Sequence, residues 1–536
     1  MGRPGRVVKL VVLLSALTPA VAAAQESTSA RPYTYLIRDA LIVDGTGAAP
    51  FRGDVALSGD RIARVSREPL DPAFAGEVID ARGLVLAPGF IDAHAHVEGL
   101  RRHPHAESFL RQGVTTVWYA ADGGMPYPLA DEMTALEQEG HAPNIAFFAG
   151  HNTIRREVMG SANRAPAPAE LERMKALVAE AMEAGAIGLS TGLRYVPGIY
   201  SETEEVIELA KVAAGYGGFY SSHIRDEGPG SVAAVRELIR IGEEAGLPVQ
   251  LSHHKLMGQP QWGQSVETLA LVDEARGRGV DVTLDQYPYD ATSTGTAVLF
   301  PAWSLAGGGD SLGARLADPE QRRRIEEGMR ATIMAERGGG DLARIRIARY
   351  GPNPSWNGLT FADIARERGR TPDMDFAVEL AVEIQSSGGA SGVWHVVDED
   401  DIRRIMKYPW TMISSDGAIG VPGSGHPHPR GYGSFARVLG RYVRDYEVLS
   451  LEEAVRKMTS LPAWRMRDET RGRIAEGLYA DLAIFDMSAV IDPATYEDPH
   501  QFAEGMVHVF VNGEPVITDG ALTPALPGRV LRRAPN

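Results

Sequence analysis

What most constrains this chain is the order in which two kinds of periodicity follow one another. Between residues 89 and 467, strand-like apolar runs alternate with helical stretches: GVTTVWYA, then AELERMKALVAEAMEAGAIGLS, then TEEVIELAKVAAGYGGFYSSH, then LPVQLSHHK. Strands that alternate with helices pair in parallel, so the centre of the chain predicts a parallel sheet, either open and doubly wound or closed into a barrel. His94, His223, His253 and Asp416 each stand at the end of a strand-like run. Catalytic groups of (β/α)8 barrels collect at that end of the strands, which favours a barrel within the α/β class.

The two ends of the chain read differently. Tyr33 to Asp80 is a series of short strands and turns, and the far end carries a matching set in GLYADLAIFD and VHVFVNGEPVITDGALT. Asn512-Gly513 is a strong hairpin signal. The expectation is one small β-sandwich built from residues 25–88 and 468–536, with the barrel at 89–467. The stretch 299–351 is rich in Gly and Arg and is too long for a plain strand-to-helix connection, so it reads as an insertion or lid.

Composition narrows the function classes. Hydrophobic residues make up 44% and charged residues 23% of the 536, as in a soluble globular protein rather than a disordered or fibrous one. A formal net charge of -16 argues against a nucleic-acid partner, whose phosphates attract clustered Lys and Arg. Arg3, Arg6 and Lys9 precede an apolar run from Leu10 to Leu17, and Ala22-Ala23-Ala24 offers a cleavage site. This reads as a signal peptide over residues 1–24 and predicts export to the periplasm or the medium. The run is short of the ~20 residues that span a bilayer, so stable membrane insertion is not expected after cleavage. The chain has no cysteine, so a metal site must be built from His, Asp or Glu.

The strongest chemical signal is APGFIDAHAH, Ala87 to His96. Residues two apart on a strand face the same side, so His94 and His96 point to one place. Three further segments follow strand-like runs: SSHIRDEG with His223, QLSHHK with His253, His254 and Lys255, and TMISSDG with Asp416. Imidazole and carboxylate are the ligands of a catalytic zinc that keeps a position open for water. His103, His105, His426 and His428 lie in loops and read as surface groups, while His151 and His395 follow apolar runs and could face the site.

Together with GHNTIRREVMG, GLSTGLRYVPGIY, DQYPYDATS and HPHPRGYGSFARVLGRYV, these segments resemble the N-acyl-D-amino-acid deacylases (D-aminoacylases) of the amidohydrolase superfamily, from about Leu36 to Thr518. The resemblance implies one or two divalent metal ions, with zinc the expected one. His94, His96 and Asp416 would hold one metal, and His223 and His253 the other, with His254 a neighbour. Asp416 would also be the general base. Lys255, Tyr287, Ser293 and Arg430 would read the carboxylate of a small N-acyl amino-acid substrate, and Tyr195 would line the acyl pocket.

One departure stands out. The family reads G-V-T-T-V-x-x-G-N-C-G where this chain reads GVTTVWYAADGG, which places Asp122 at the position of the bridging cysteine. Carboxylate is a harder donor than thiolate, so affinity and preferred metal can shift. A carbamylated lysine has no candidate between Lys9 and Lys175, and Glu157 is a weaker substitute. The implied reaction is hydrolysis of an N-acyl-D-amino acid. Release of a C-terminal D-residue from a peptide, and opening of a cyclic amide, are the alternatives within the same chemistry. A metal-binding or solute-binding protein without turnover is the alternative from another class.

Overall fold

The structure is a computed structural model that describes Met1, Gly2, Gly5 and residues 32–533. The apolar run Leu10 to Leu17 and the expected cleavage site at Ala22-Ala23-Ala24 lie outside the described residues.

Eight parallel staves form the core. They are Phe90–His96, Val114–Tyr119, Asn144–Phe147 continued by Ala149–Gly150, Gly188–Gly192, Phe219–His223, Val249–Leu251, Val282–Gln286, and Thr411–Ile413 continued by Gly417–Ala418. The ring closes through its two interrupted staves. At the third, Phe148 N donates to Tyr119 O at 3.1 Å on one side while Ile187 N donates to Phe147 O at 2.8 Å on the other. At the eighth, Ser414 N donates to Gln286 O at 2.9 Å, and two residues on Asp416 N donates to His94 O at 2.8 Å. The eighth stave therefore leaves the seventh and joins the first at the residues that carry the chemistry.

These strands form because both their faces are buried. Val114–Tyr119 is VTTVWY with every residue buried, the β-branched and aromatic pattern of a strand covered by helices. The covering helices supply the complementary stripe. In Pro168–Glu183 the buried residues Met174, Leu177, Val178, Ala181 and Met182 recur at i, i+3, i+4, i+7 and i+8. Each large apolar side chain so covered contributes about 1.5–3 kcal/mol.

The two ends of the chain meet in one β-domain. Its strands bond as a nine-stranded sheet in which Leu482–Phe485 pairs Val85–Pro88 antiparallel, and a core of Ile37, Ile42, Val55, Leu482, Ile484 and Phe510 fills it. Asn512 and Gly513 take φ of +49° and +80°, the left-handed pair that a tight hairpin needs. The last strand departs from the expected division: Val530–Leu531 leaves this domain and pairs in parallel with Ile145 and Ala146 of the barrel.

The insertion is also larger than the sequence suggests. A three-stranded antiparallel sheet, Ala291–Gly295, Ser391–His395 and Ile345–Arg349, frames it, so it runs over 291–395 rather than 299–351. Its edges are hidden locally because the pairing Ala291 to His395 joins residues far apart in the chain.

Candidate metal centre

The strand ends bring the predicted ligands together. His94, His96, Asp122 and Asp416 form one group of possible ligand atoms, and Asp122, His223 and His253 form a second, with Asp122 common to both. His94 Nε2 lies 3.3 Å from Asp122 Oδ1 and 3.6 Å from Asp416 Oδ1. His96 Nε2 lies 3.0 Å from Asp416 Oδ1 and 3.7 Å from Asp122 Oδ2. On the other side, Asp122 Oδ1 is 3.4 Å from His253 Nε2 and 3.9 Å from His223 Nδ1. The two later histidines face each other across 2.7 Å, His223 Nδ1 to His253 Nε2.

Backbone strain marks the same places. Asp416 has φ of +47° and His253 of +35°, a left-handed conformation that costs a side chain about 1–2 kcal/mol. Hydrogen bonds hold both: Asp416 N donates to His94 O at 2.8 Å, and His253 N donates to Asp285 Oδ1 at 2.9 Å. The turn that carries Asp122 is fixed by its neighbours. Gly123 N donates to Ser190 Oγ at 3.1 Å, and Thr153 N donates to Gly123 O at 3.1 Å. A Cβ on Gly123 would stand 2.3 Å from Asn152 Oδ1, so glycine is required there.

The donor set fits a divalent metal. Asp122 Oδ1 and both ring nitrogens of His94 are buried without a hydrogen-bond partner. A buried polar atom left without a partner costs about 1–3 kcal/mol, so Asp122 Oδ1 and His94 Nε2, 3.3 Å apart, imply a bound group that completes them, while His94 Nδ1 faces Asp285 Oδ1 at 3.7 Å. Imidazole nitrogens with carboxylate oxygens are the donors a zinc site uses.

The electrostatics separate the residues. Burial pushes the Asp416 carboxyl up, but Arg430, His253 and His94 outweigh it and hold the group well below the usual range. Asp122 is likewise held down against burial by His94 and His253. Burial takes His223 down to about 3, which keeps its ring neutral. His253 is raised to about 10: burial and Lys255 push it down, and the carboxylates of Glu227, Asp416 and Asp122 overcome them.

The expected substrate-contacting residues divide into two sets. His96, Asp122, Tyr195, Ser293, Asp416 and Arg430 line a cleft of about 690 Å³. Arg430 Nη1 donates to Asp416 Oδ2 at 2.6 Å, and Nη2 to Ser293 O at 3.4 Å. The Tyr195 ring lies 4.6 Å from that of His223. Lys255 and Tyr287 lie deeper. Lys255 Nζ donates to Glu227 Oε1 at 2.6 Å and to His253 O at 2.9 Å, and stands 2.8 Å from His253 Nδ1, so its ammonium is held behind the histidine. Tyr287 is buried beneath Arg430, whose guanidinium carbon lies 4.8 Å above its ring.

The remaining histidines settle as follows. His254 turns away to Thr268, Nε2 to Oγ1 at 2.8 Å. His151 faces Glu205 at 2.8 Å, and His395 packs on Tyr496 with ring centroids 4.5 Å apart. Glu157 is exposed and belongs to neither ligand group. His428, expected on the surface, is buried because it ties the Arg430 loop to the insertion: its Nδ1 accepts from Arg430 N at 3.0 Å, and its Nε2 donates to Ala291 O at 3.0 Å.

Two residues of consequence escaped the sequence reading. Glu227, buried behind both later histidines, has Oε2 at 3.5 Å from His223 Nε2 and Oε1 at 3.1 Å from His253 Nδ1. It stands four residues after His223 in SSHIRDEG, a spacing that could have found it. Asp285, in DQYPYD, is fully buried and accepts from His253 N, from Ser414 Oγ at 2.7 Å and from Gln250 Nε2 at 2.6 Å. It braces the sixth and eighth staves against each other.

Comparison with known proteins places this geometry in company. The model of the amidohydrolase family matches residues 77–298 and 357–517, and the gap between the two segments falls inside the insertion. The D-aminoacylase of Alcaligenes xylosoxydans xylosoxydans is 37% identical over 530 residues, covering 94% of this chain and 99% of that protein. The N-acyl-D-glutamate deacylase of Bordetella bronchiseptica was solved with zinc and a phosphonate inhibitor that mimics the tetrahedral intermediate. It superposes with a TM-score of 0.79 at 34% identity, covering 93% of this chain and 99% of that one. A D-aminoacylase structure addressing the role of its binuclear metal centre superposes with a TM-score of 0.78 at 36% identity, covering 94% and 100%.

Proposed function

The chain belongs to the amidohydrolase family, and on that footing we propose that it hydrolyses the amide bond of N-acyl-D-amino acids, giving a carboxylate and a free D-amino acid. The observation that carries the reading is Asp122, whose carboxylate stands between His94 and His96 on one side and His223 and His253 on the other.

One or two divalent ions, with zinc the first candidate, would be held by His94, His96, Asp122, Asp416, His223 and His253. Such an ion supplies positive charge that acidifies a water molecule and polarises the scissile carbonyl. Asp416, kept ionised by Arg430 and the neighbouring histidines, takes the proton of the attacking water. It then gives that proton to the amide nitrogen, which leaves poorly unless protonated. Arg430 and Ser293 receive the substrate carboxylate at the same wall of the cleft, a guanidinium being matched to that group. Lys255 fixes both Glu227 and His253, which it touches directly. Tyr195 covers His223 and narrows the acyl side.

The test is a panel of N-acetyl-D- and N-acetyl-L-amino acids and dipeptides ending in a D-residue, offered to metal-loaded protein with free amine measured. Release from the N-acetyl-D compounds is expected; no release from any of them defeats the reading. Export rests on Arg3, Arg6, Lys9 and the apolar run that follows, and N-terminal sequencing of protein recovered from the periplasm or the medium tests it.

A further inference from the structure

A second cavity, of about 840 Å³, adjoins the metal cleft, and Tyr195 stands in the wall of both. The Tyr195 hydroxyl accepts from Thr294 Oγ1 at 3.3 Å, so the shared wall is tied to the insertion. Val196 and Ile199 line the cavity from the barrel, and Val298, Phe300, Leu305 and Leu312 from the insertion. Its charged lining consists of Arg194, Glu336 and Asp310, one cation against two anions. Arg194 Nη2 lies 2.7 Å from Glu336 Oε2, with the two side chains only 17% and 11% exposed.

We propose that Arg194 and Glu336, by neutralising each other in this cavity, make the enzyme select substrates that carry a bulky, uncharged, apolar group, and reject those with a second carboxylate. This rests on the deacylase reading and names the substrate class within it. A carboxylate entering the cavity would meet Glu336 and would have to displace it from Arg194, losing hydration as it did so. Arg337, the next cation along the chain, is not among the lining residues. It is buried against Met257 Sδ at 3.2 Å and the Trp394 ring at 5.7 Å. An apolar group entering the same space buries hydrocarbon against the valine, isoleucine, leucine and phenylalanine walls and disturbs no charge. The group can be the side chain of the D-amino acid or the acyl chain; the chemistry is the same and experiment separates the two.

The test compares kcat/KM for free-amine release along two series. The first is the N-acetyl derivatives of D-alanine, D-leucine, D-phenylalanine, D-glutamate and D-lysine; the second is N-acetyl-, N-butyryl- and N-octanoyl-D-alanine. Since one methylene in an apolar pocket changes specificity by about ten-fold or more, a rise of at least that size is expected along one series. D-glutamate is expected to fall below D-alanine. A rise along the first series assigns the cavity to the side chain, and along the second to the acyl chain. Glu336→Gln leaves Arg194 unpaired and is expected to raise at least ten-fold the glutamate-to-leucine ratio if the first series rises, or the N-succinyl- to N-octanoyl-D-alanine ratio if the second does, while Ala302→Trp, which fills the cavity, lowers the bulky-to-small ratio. Should Glu336→Gln fail to fold, the Arg194→Met/Glu336→Met double variant is expected to keep the wild-type ratio, because it removes one charge of each sign and leaves the net charge of the lining unchanged. No rise along either series, or, along the series that rises, a ratio of carboxylate-bearing to apolar substrate that Glu336→Gln does not move, overturns the inference and leaves the deacylase reading intact. No release from any substrate overturns the reading itself and the inference with it.

Discussion

Arg430 donates through Nη1 to Oδ2 of Asp416 at 2.6 Å, so the cation expected to receive the substrate carboxylate already touches the carboxylate expected to move the proton. The contact couples binding to chemistry. It keeps Asp416 ionised when the cleft is empty, and a substrate carboxylate that draws on the same guanidinium returns some basicity to Asp416 as it binds. Asp416→Asn preserves the shape of the side chain and removes its ability to accept a proton. The expected result is a kcat lower by about 10²–10⁴ with the circular dichroism spectrum unchanged. Near-normal turnover would remove Asp416 from its role.

Glu227 stands behind His223 and His253 together, and Lys255 fixes it from the other side. Carboxylates that orient ligand histidines in this way typically strengthen metal affinity by about 10–100-fold. Glu227→Gln should therefore weaken metal retention by that factor in competition with a chelator. Retention equal to wild type would make Glu227 a purely structural acid.

The turn that presents Asp122 depends on Gly123, whose φ is +79° and whose added Cβ would meet Asn152 Oδ1 at 2.3 Å. In Gly123→Ala the turn must move, and Asp122 with it. A loss of about 1–3 kcal/mol in urea unfolding is expected from the crowding, together with a lower metal content after dialysis. A variant of unchanged stability and metal content would show that the turn adapts.

Lys457 is a charge in the wrong place for comfort at neutral pH. Its Nζ donates to Tyr408 O at 2.5 Å and Thr411 O at 3.2 Å, and burial pushes its ammonium down to about 7 despite the nearby Glu453. A lysine whose folded value lies below its unfolded one binds fewer protons when folded, so stability rises with pH across the interval between them, from about 7 to about 10.4. The wild type is expected to gain on Lys457→Met over this range, by roughly a few kcal/mol, as read from urea midpoints at several pH values. A constant difference would mean that Lys457 titrates normally.

Much of the frame could be read from the sequence, because parallel strands buried on both faces announce themselves as apolar runs and the ligands sit where those runs stop. The alternation along QLSHHK separates His253 from His254, and the structure turns the two apart. Lys255, which the resemblance implies as a reader of the substrate carboxylate, follows the left-handed turn at His253, φ of +35°, and its Nζ stands 2.8 Å from His253 Nδ1. Asp122 was visible only against the cysteine of the relatives' motif, since nothing in WYAADGG itself distinguishes a ligand from a turn-capping acid. The insertion was legible but its bounds were not, because its frame pairs Ala291 with His395 and no local pattern reports a contact that distant.

Metal-dependent hydrolysis of N-acyl-D-amino acids stands or falls on one measurement: free-amine release from N-acetyl-D-leucine and N-acetyl-L-leucine by protein stripped of metal and by the same protein reloaded with zinc. It predicts release from the D compound by the reloaded protein, little from the L compound, and none from the stripped protein. Equal release from both enantiomers, or release that does not depend on metal, would contradict it.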